Sequence, residues 1–353
     1  MENSNNKIKI LVAPLNWGIG HATRCVPIIN QLLEKGFEPI IASDGDALRY
    51  LEKEFPELYS IELPTYNIKY SSQAYFFKFK LLLQIPKIKK AIKKEYKDVQ
   101  QIIKDENIKG IISDNRFGVY SSQIPSVYIT HQINVLSGVA TFLTSRVHQK
   151  IMNNFTEVWI PDFKDNRLAG ELSHNSKIKI PSKYIGILSR FNSIPSSVKP
   201  KNDVLILLSG IEPQRTILEH KLILEFNNYP KKVIFIRGVL DTENKIKDIG
   251  NIKFINFQAQ DELYKSITNS KIVIARSGYS TIMDLATLGK KSFFIPTPNQ
   301  TEQEYLAKNL ESLKIAPFSK QKDFNIAMLD EVENYNGFGN KILDLDLDFG
   351  IFK

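Results

Sequence analysis

Short apolar segments alternate with helical patterns in two successive series along the 353 residues, and this double alternation limits the fold more than any other feature. Strands are predicted at 8–13, 38–42, 58–63, 110–113, 126–130 and 157–160, then at 204–208, 232–237, 252–256, 271–275 and 292–296. Helices are predicted at 22–35, 45–54, 75–84, 86–106 and 138–154, then near 214–226, 261–269, 280–288 and 302–313. Such alternation is typical of βαβ units, so we expect an α/β protein with two doubly wound, Rossmann-like domains.

The length of the chain supports the same division, because one hydrophobic core rarely serves so many residues. Between the two series, the stretch 188–201 contains two prolines and four serines, which is typical of a linker. We therefore predict domains at 1–190 and 203–333, a linker at 191–202 and a tail at 334–353. The tail alternates leucine with aspartate, a pattern that fits an edge strand or a frayed helix.

The composition bounds the environment of the protein. A single cysteine, Cys25, excludes an intrachain disulfide and fits a reducing compartment. The polar start has no signal-peptide pattern, and no run approaches the ~18 apolar residues of a membrane span. We expect a cytoplasmic protein.

The positive charge is concentrated in one segment. The net charge is +9, and residues 66–97 alone hold nine lysines and one acid. Exposed aromatic and aliphatic side chains beside such lysines suit the anionic inner leaflet of the cytoplasmic membrane more than a nucleic acid. Pro86 is expected to break the helix within this segment. The alternative is an amphipathic core helix followed by a solvated basic helix. The residues predicted to contact the membrane are Phe77, Lys78, Lys80, Leu81, Lys87 and Lys90.

Polar residues follow three strands of the first series, and the carboxyl ends of parallel strands meet at one edge of a sheet. His21 could accept a proton there near neutral pH, with Asp114 as the group that orients it or as a rival base. Each residue also has a plain reading as a cap or a turn. The further candidates at this edge of the sheet are Gly18, Gly20, Arg116, His131 and Gln132; His148, His174 and His220 are expected to be surface or satisfied histidines.

The second series contains a Gly turn that opens a helix, in the run Arg276-Ser277-Gly278. Backbone N–H groups at a helix start bind phosphate, and Asp284 farther along could accept both hydroxyls of a ribose. A solvated aspartate is the alternative, and Thr301 with Glu304 also matches a capping box. No metal-binding pattern is present in the sequence, so we expect neither a metal nor a cofactor.

These residues resemble a known family. The pattern Arg276-Ser-Gly-x-x-Thr281-x-x-Asp284, followed by Gln303-Glu304-Tyr305, resembles the donor-binding half of glycosyltransferase family 28, the family of the MurG-like N-acetylglucosaminyltransferases. Gly18-x-Gly20-His21 resembles its Gly-rich loop. The resemblance implies a GT-B fold, in which two Rossmann-like domains face a central cleft, and inverting, metal-independent transfer from a nucleotide sugar.

The resemblance also implies roles for individual residues. Asp284 would hold the ribose, Ser277 and Gly278 would lie at the diphosphate, and Gln303 and Glu304 would contact the donor sugar. The full set of predicted donor-binding residues is Ser209, Gly210, Arg237, Leu263, Arg276, Ser277, Gly278, Ser280, Thr281, Asp284, Gln303 and Glu304.

The sequence therefore predicts an N-terminal acceptor-binding domain and a C-terminal nucleotide-sugar domain. The expected activity is transfer of a sugar from a UDP-sugar, with UDP-GlcNAc as a candidate, to a hydroxyl of a glycan or lipid-linked acceptor. The expected partners are these substrates and an anionic membrane surface, with no nucleic acid. Two alternatives stay open: a non-hydrolysing nucleotide-sugar epimerase, and a nucleotide-sugar-binding protein without catalysis.

Overall fold

The computed structural model describes residues 7–66, 77–136, 141–165, 168–174, 178–191, 200–239, 246–339 and 345–353, with the backbone alone at 77–85 and 141–143. The chain divides into two compact units. The first comprises Met1–Arg167, Glu171–Leu188 and Leu345–Lys353, and the second comprises Leu168–Gly170 and Ser189–Asp344.

The first unit is built on a seven-stranded parallel sheet with the strand order β3-β2-β1-β4-β5-β6-β7. Its strands are β1 (Lys9–Pro14), β2 (Glu38–Ser43), β3 (Ser60–Glu62), β4 (Gly110–Asp114), β5 (Ser126–Ile129), β6 (Glu157–Ile160) and β7 (Ser182–Tyr184). The central strands are buried along almost their whole length, as expected for a parallel sheet with both faces covered. Pro14 is in register with Asp114, and Asp114 with Ile129, so these three strands end together.

The described α-helices of the first unit are α1 (Gly20–Glu34), α2 (Gly45–Glu54), α3 (Phe77–Asp105) and α4 (Thr141–Met152). The prediction that Pro86 separates two helices is wrong, because α3 continues through it. A proline inside a helix removes one N–H donor and can be accommodated by a local bend.

The end of the chain packs on the first unit. The described part of the leucine–aspartate alternation forms neither the edge strand nor the frayed helix that was predicted. The backbone N–H of Leu347 donates to the Gln31 side chain over 2.8 Å. The Phe349 ring lies 5.6 Å from Phe37 and 5.9 Å from Trp159, centroid to centroid. A short 3-10 helix, Gly350–Phe352, ends the chain.

The second unit contains a five-stranded parallel sheet with the order β10-β9-β8-β11-β12. Its strands are β8 (Asn202–Leu207), β9 (Val233–Ile236), β10 (Ile252–Ile255), β11 (Ser270–Ala275) and β12 (Lys291–Phe294). The helices are α5 (Gln214–Phe226), α6 (Gln260–Thr268), α7 (Tyr279–Thr287) and α8 (Thr301–Ser312), followed by a 3-10 helix at Ile326–Asn334. The predicted fold class is confirmed: both units are α/β with parallel, Rossmann-like sheets.

The described residues contain no helix that is both long enough and apolar enough to cross a membrane. Lys87 and Lys90 are exposed on α3. The side chains of Phe77, Lys78, Lys80 and Leu81, which carry the rest of the predicted membrane contact, lie outside the described residues.

Candidate active site

His21 and Asp114 come together at the carboxyl edge of the first sheet. Asp114 is the last residue of β4, and His21 lies in the first turn of α1, after the loop that follows β1. The His21 Nδ1 atom is 2.9 Å from Asp114 Oδ1. The Asp114 side chain is fully buried, whereas 17% of the His21 side chain is exposed. The two predicted catalytic residues therefore form a pair in which only the imidazole reaches the surface.

Arg24 completes this pair and was not predicted from the sequence. One turn after His21 along α1, its Nε and Nη2 atoms donate to the two carboxylate oxygens of Asp114. Its Nη2 atom also lies 2.8 Å from His21 Nδ1, and Nη1 lies 3.3 Å from His131 Nδ1. A signal was present in the sequence: Arg24 stands between Ala22 and the apolar run that begins at Cys25, where a charged side chain needs a buried partner.

The electrostatics of this cluster suit proton transfer. Burial alone would raise the pKa of Asp114, but Arg24 and His21 together hold this pKa well below its usual range. Burial lowers the pKa of His21, and Arg24 adds to that effect against the opposing charge of Asp114. The carboxylate is therefore ionised and the imidazole neutral at neutral pH. With a proton on Nδ1, the Nε2 atom of His21 is a free base.

The other residues predicted at this edge lie close to the His21 and Asp114 pair in the sequence or in the sheet. Gly18 adopts a φ of +73°, which a residue with a side chain rarely takes, and Gly20 opens α1. His131 is buried beside Arg24, and the backbone N–H of Gln132 donates to Thr130 Oγ1 over 3.1 Å.

Arg116 has a structural role in this fold. Its guanidinium is fully buried and donates from Nε to Glu95 and from Nη1 to Asp44, over 2.6 Å in each case. Its Nη2 atom donates to the carbonyl of Pro64 over 2.8 Å. Every guanidinium nitrogen thus has an acceptor within the protein, which favours a structural role over the predicted contact with a ligand.

One ring nitrogen of His148 has a hydrogen-bond partner, as expected for a satisfied histidine, and the side chain is buried. Its Nε2 atom lies 2.9 Å from the Tyr128 hydroxyl, which also donates to Asn115 Oδ1 over 2.9 Å. Its Nδ1 atom has no hydrogen-bond partner among the described residues. Burial lowers the pKa of His148 to about 4, so this imidazole is neutral near pH 7.

In the second unit, the predicted phosphate turn joins β11 to α7. Gly278 is the residue before the helix, and Ser277 is buried with its hydroxyl donating to the carbonyl of Gln303 over 2.8 Å. The Gln303 side chain accepts the Thr297 N–H over 2.8 Å, and the Glu304 carboxylate accepts the Asn299 N–H over 3.0 Å. Gln303 and Glu304 therefore hold the turn between β12 and α8.

Asp284 is paired and not solvated. It is 4% exposed, and its carboxylate accepts from Ser189 Oγ over 2.9 Å and from the Nε and Nη2 atoms of Arg190 over 3.0 Å each. This pairing could not be predicted from the sequence, because Ser189 and Arg190 lie next to the predicted linker. A ribose at Asp284 would have to share the carboxylate with Arg190 or displace it.

The two arginines of the predicted donor-binding set also have partners within the protein. Arg237 pairs with Glu219 over 2.9 Å. Arg276 has no acidic partner among the described residues: its Nη atoms donate to the carbonyls of Ile295, Pro296 and Gln214 and to the Gln321 side chain. Burial lowers the pKa of Arg276 to about 9.

The remaining predicted donor residues differ in exposure. Ser280 and Thr281 are partly exposed at the start of α7, and Leu263 is buried in α6. Ser209 is partly exposed after β8, beside exposed Gly210, whose φ is +108°. Within the described ranges, no group of three or more His, Cys, Asp or Glu side chains could hold a metal ion.

Glycosyltransferases are among the solved structures that share this fold. A spinosyn rhamnosyltransferase matches with a TM-score of 0.65 and 14% identity, covering 94% of this chain and 93% of its own. MurG from Acinetobacter baumannii matches with a TM-score of 0.53 and 13% identity, covering 94% and 92%. At these identities the likeness concerns the fold, which is that of the GT-B glycosyltransferases.

Sequence relatives give the finer assignment. Residues 214–334 match the model of the glycosyltransferase family 28 C-terminal domain. The UDP-N-acetylglucosamine--N-acetylmuramyl-(pentapeptide) pyrophosphoryl-undecaprenol N-acetylglucosamine transferase of Rickettsia akari is 25% identical, over 96% of this chain and 90% of the relative. A glycosyltransferase of Methanosarcina acetivorans is 23% identical over 95% of this chain and 92% of its own length. The predicted resemblance to family 28 is confirmed, and the chain is a glycosyltransferase.

Proposed function

We propose that this protein is an inverting, metal-independent glycosyltransferase that moves a sugar from a UDP-sugar to a hydroxyl group of a lipid-linked acceptor. The observation that carries the proposal is the pair of neutral His21 and ionised Asp114, with the imidazole partly exposed at the carboxyl edge of the sheet. The name of the Rickettsia akari relative supports UDP-N-acetylglucosamine as the first donor to test and a lipid diphosphate as the acceptor class.

The proposed reaction is a single displacement. His21 Nε2 takes the proton of the acceptor hydroxyl while its oxygen attacks the anomeric carbon of the donor sugar. The bond from that carbon to the diphosphate breaks, and its electron pair leaves with UDP. One displacement at the anomeric carbon inverts its configuration.

The second unit would bind the donor. Backbone N–H groups at the start of α7, next to Ser277 and Gly278, are suited to the negative charge that grows on the departing diphosphate. Asp284 would accept the ribose hydroxyls after exchanging its bonds with Arg190. These donors are part of the protein, so the proposed step requires no metal ion.

The product of the reaction tests the proposal. We expect the protein to convert UDP-N-acetylglucosamine and a short-chain lipid diphosphate sugar into UDP and a glycosylated lipid, measured by mass spectrometry. NMR of the new glycosidic bond should show the anomeric configuration opposite to that of the donor, and a chelator should leave the rate unchanged. Retention of configuration, or isomerised donor without glycosylated lipid, would contradict the proposal.

Asp284→Asn is expected to weaken UDP binding by roughly ten- to a hundred-fold, because a charged acceptor of two hydroxyl hydrogen bonds becomes neutral. Isothermal titration with UDP measures the effect. Asp330→Asn, at an exposed position of the same unit, is the matched control. Unchanged UDP affinity in a folded Asp284→Asn protein would remove the ribose role.

We also propose that the protein acts at the cytoplasmic face of an anionic membrane, through Lys87, Lys90 and the neighbouring Phe77, Lys78, Lys80 and Leu81. Each lysine near such a surface contributes about 1 kcal/mol. Lys87→Glu with Lys90→Glu is therefore expected to lower the partition into phosphatidylglycerol vesicles at least ~30-fold. Lys320→Glu with Lys322→Glu in the second unit is the control for net charge. Equal partition of both double variants would exclude the lysine contact.

A further inference from the structure

We propose that Arg24 is a positioning residue that decides which proton state His21 presents to the acceptor hydroxyl. This inference rests on the proposed role of His21 as the base. Arg24 is 2% exposed, so it acts on His21 and Asp114 from within the protein and has little access to substrate.

The first argument is the hydrogen bonding at one nitrogen. His21 Nδ1 lies 2.9 Å from Asp114 Oδ1 and 2.8 Å from Arg24 Nη2. A protonated Nδ1 donates to Asp114 and leaves Nε2 free to accept a proton. An unprotonated Nδ1 accepts from Arg24, and the ring hydrogen then lies on Nε2. In that tautomer Nε2 has no lone pair with which to take the proton of the acceptor hydroxyl. The balance between Arg24 and Asp114 therefore selects the tautomer.

The second argument is charge. A buried carboxylate beside a histidine favours the imidazolium, which has no free nitrogen and cannot accept a proton. Arg24 donates to both oxygens of Asp114, so the carboxylate charge is largely neutralised where the imidazole meets it. His21 therefore stays neutral beside a buried acid. Without the guanidinium, the acid would hold the imidazole in its charged form.

Other described groups also lie around this cluster. His131 Nδ1 lies 3.3 Å from Arg24 Nη1, and Cys25 Sγ lies 3.9 Å from Asp114 Oδ2. Asn115 Nδ2 lies 3.3 Å from Asp114 Oδ1, and the buried Tyr128 phenol interacts electrostatically with both Asp114 and Arg24. Burial raises the pKa of Cys25 and of Tyr128, so both are uncharged near neutral pH. Within the part of the chain that the structure describes, Arg24 and Asp114 are the charges that act most strongly on His21, with His131 as a further neighbour.

Arg24→Met removes the cation and keeps a side chain of similar length. We expect the pKa of His21, followed by NMR of its imidazole, to rise by about one unit or more, because Asp114 then acts unopposed. The acid limb of the kcat/KM profile should move upward by the same amount, so that the rate lost approaches about tenfold for each pH unit by which the limb moves, at pH values below the native pKa, and is regained in alkaline buffer. In Arg24→Lys, which keeps the charge, the pKa of His21 should stay close to its value in the native protein.

A second comparison covers the case in which Arg24→Met does not fold, since that variant leaves Asp114 buried without its cation. Asp114→Asn retains Arg24, whereas Arg24→Met with Asp114→Asn removes both charges. We expect His21 to titrate higher in the double variant than in Asp114→Asn, because the remaining difference is the guanidinium.

The possible results distinguish the effect of Arg24 on His21 from the role of His21 as the base. Equal His21 titration in Asp114→Asn and in the double variant would overturn the role of Arg24, as would a rate loss in Arg24→Met that is the same at every pH. A shifted titration without a matching shift of the rate profile would retain the effect of Arg24 on His21 and reject His21 as the base.

Discussion

His21→Asn is expected to lower kcat by roughly 100- to 10,000-fold, the range that a positioned general base contributes. Asparagine can still donate a hydrogen bond toward Asp114, but it has no nitrogen that accepts a proton. UDP affinity should stay unchanged, because the proposed donor residues belong to the second unit. Steady-state rates with saturating donor and acceptor, together with isothermal titration of UDP, measure both quantities.

The control for this variant is His174→Asn, an exposed position of the same unit. It should retain the native rate. A His21→Asn protein that keeps more than about a tenth of the native kcat would contradict the assignment, because general-base removal costs more than that. The rival base, Asp114, is fully buried and both of its oxygens accept from Arg24, so the geometry favours His21 as the group that reaches the acceptor.

The sheets could be predicted closely because their strands are short, apolar and bounded by turn residues. The bounds of β2, β6, α2 and α5 agree with the prediction to within one residue. The strand β7 was missed because Ser182–Tyr184 is three residues long and largely polar, and it lies at the edge of the sheet. Its place depends on pairing with β6, which the local sequence does not encode.

Residues of the candidate site could be expected to approach one another only where the order of the parallel strands places them at one edge of the sheet. The carboxyl ends of β1 and β4 meet in any parallel sheet of this kind, so His21 and Asp114 could be expected to approach. Arg24 and Arg190 could not be found in this way. An arginine side chain is long and flexible, and its burial depends on a carboxylate that is distant in sequence. The same limit made Arg116 look like an anion-binding residue.

Arg116→Met is expected to lower the free energy of unfolding by about 3–5 kcal/mol, the cost of removing one partner from a buried ion pair. Glu95 is fully buried and Asp44 is 5% exposed, so neither acid could recover its solvation by water in the folded protein. Glu95 keeps the backbone N–H of Gly118 as a donor over 2.9 Å and the Tyr66 hydroxyl over 2.5 Å, which cannot replace a cation. Urea unfolding followed by circular dichroism measures the loss.

The matched control is Arg49→Met, which removes an arginine paired with Asp46 on α2, where both side chains are more than half exposed. An exposed pair of this kind contributes at most about 1 kcal/mol, so this variant should unfold close to the native protein. Combining Arg116→Met with Glu95→Gln should recover part of the loss, because one uncompensated charge is then removed. If Arg116 bound the acceptor instead, Arg116→Met would raise the acceptor KM and leave unfolding unchanged. The two roles therefore predict opposite results in the same pair of measurements.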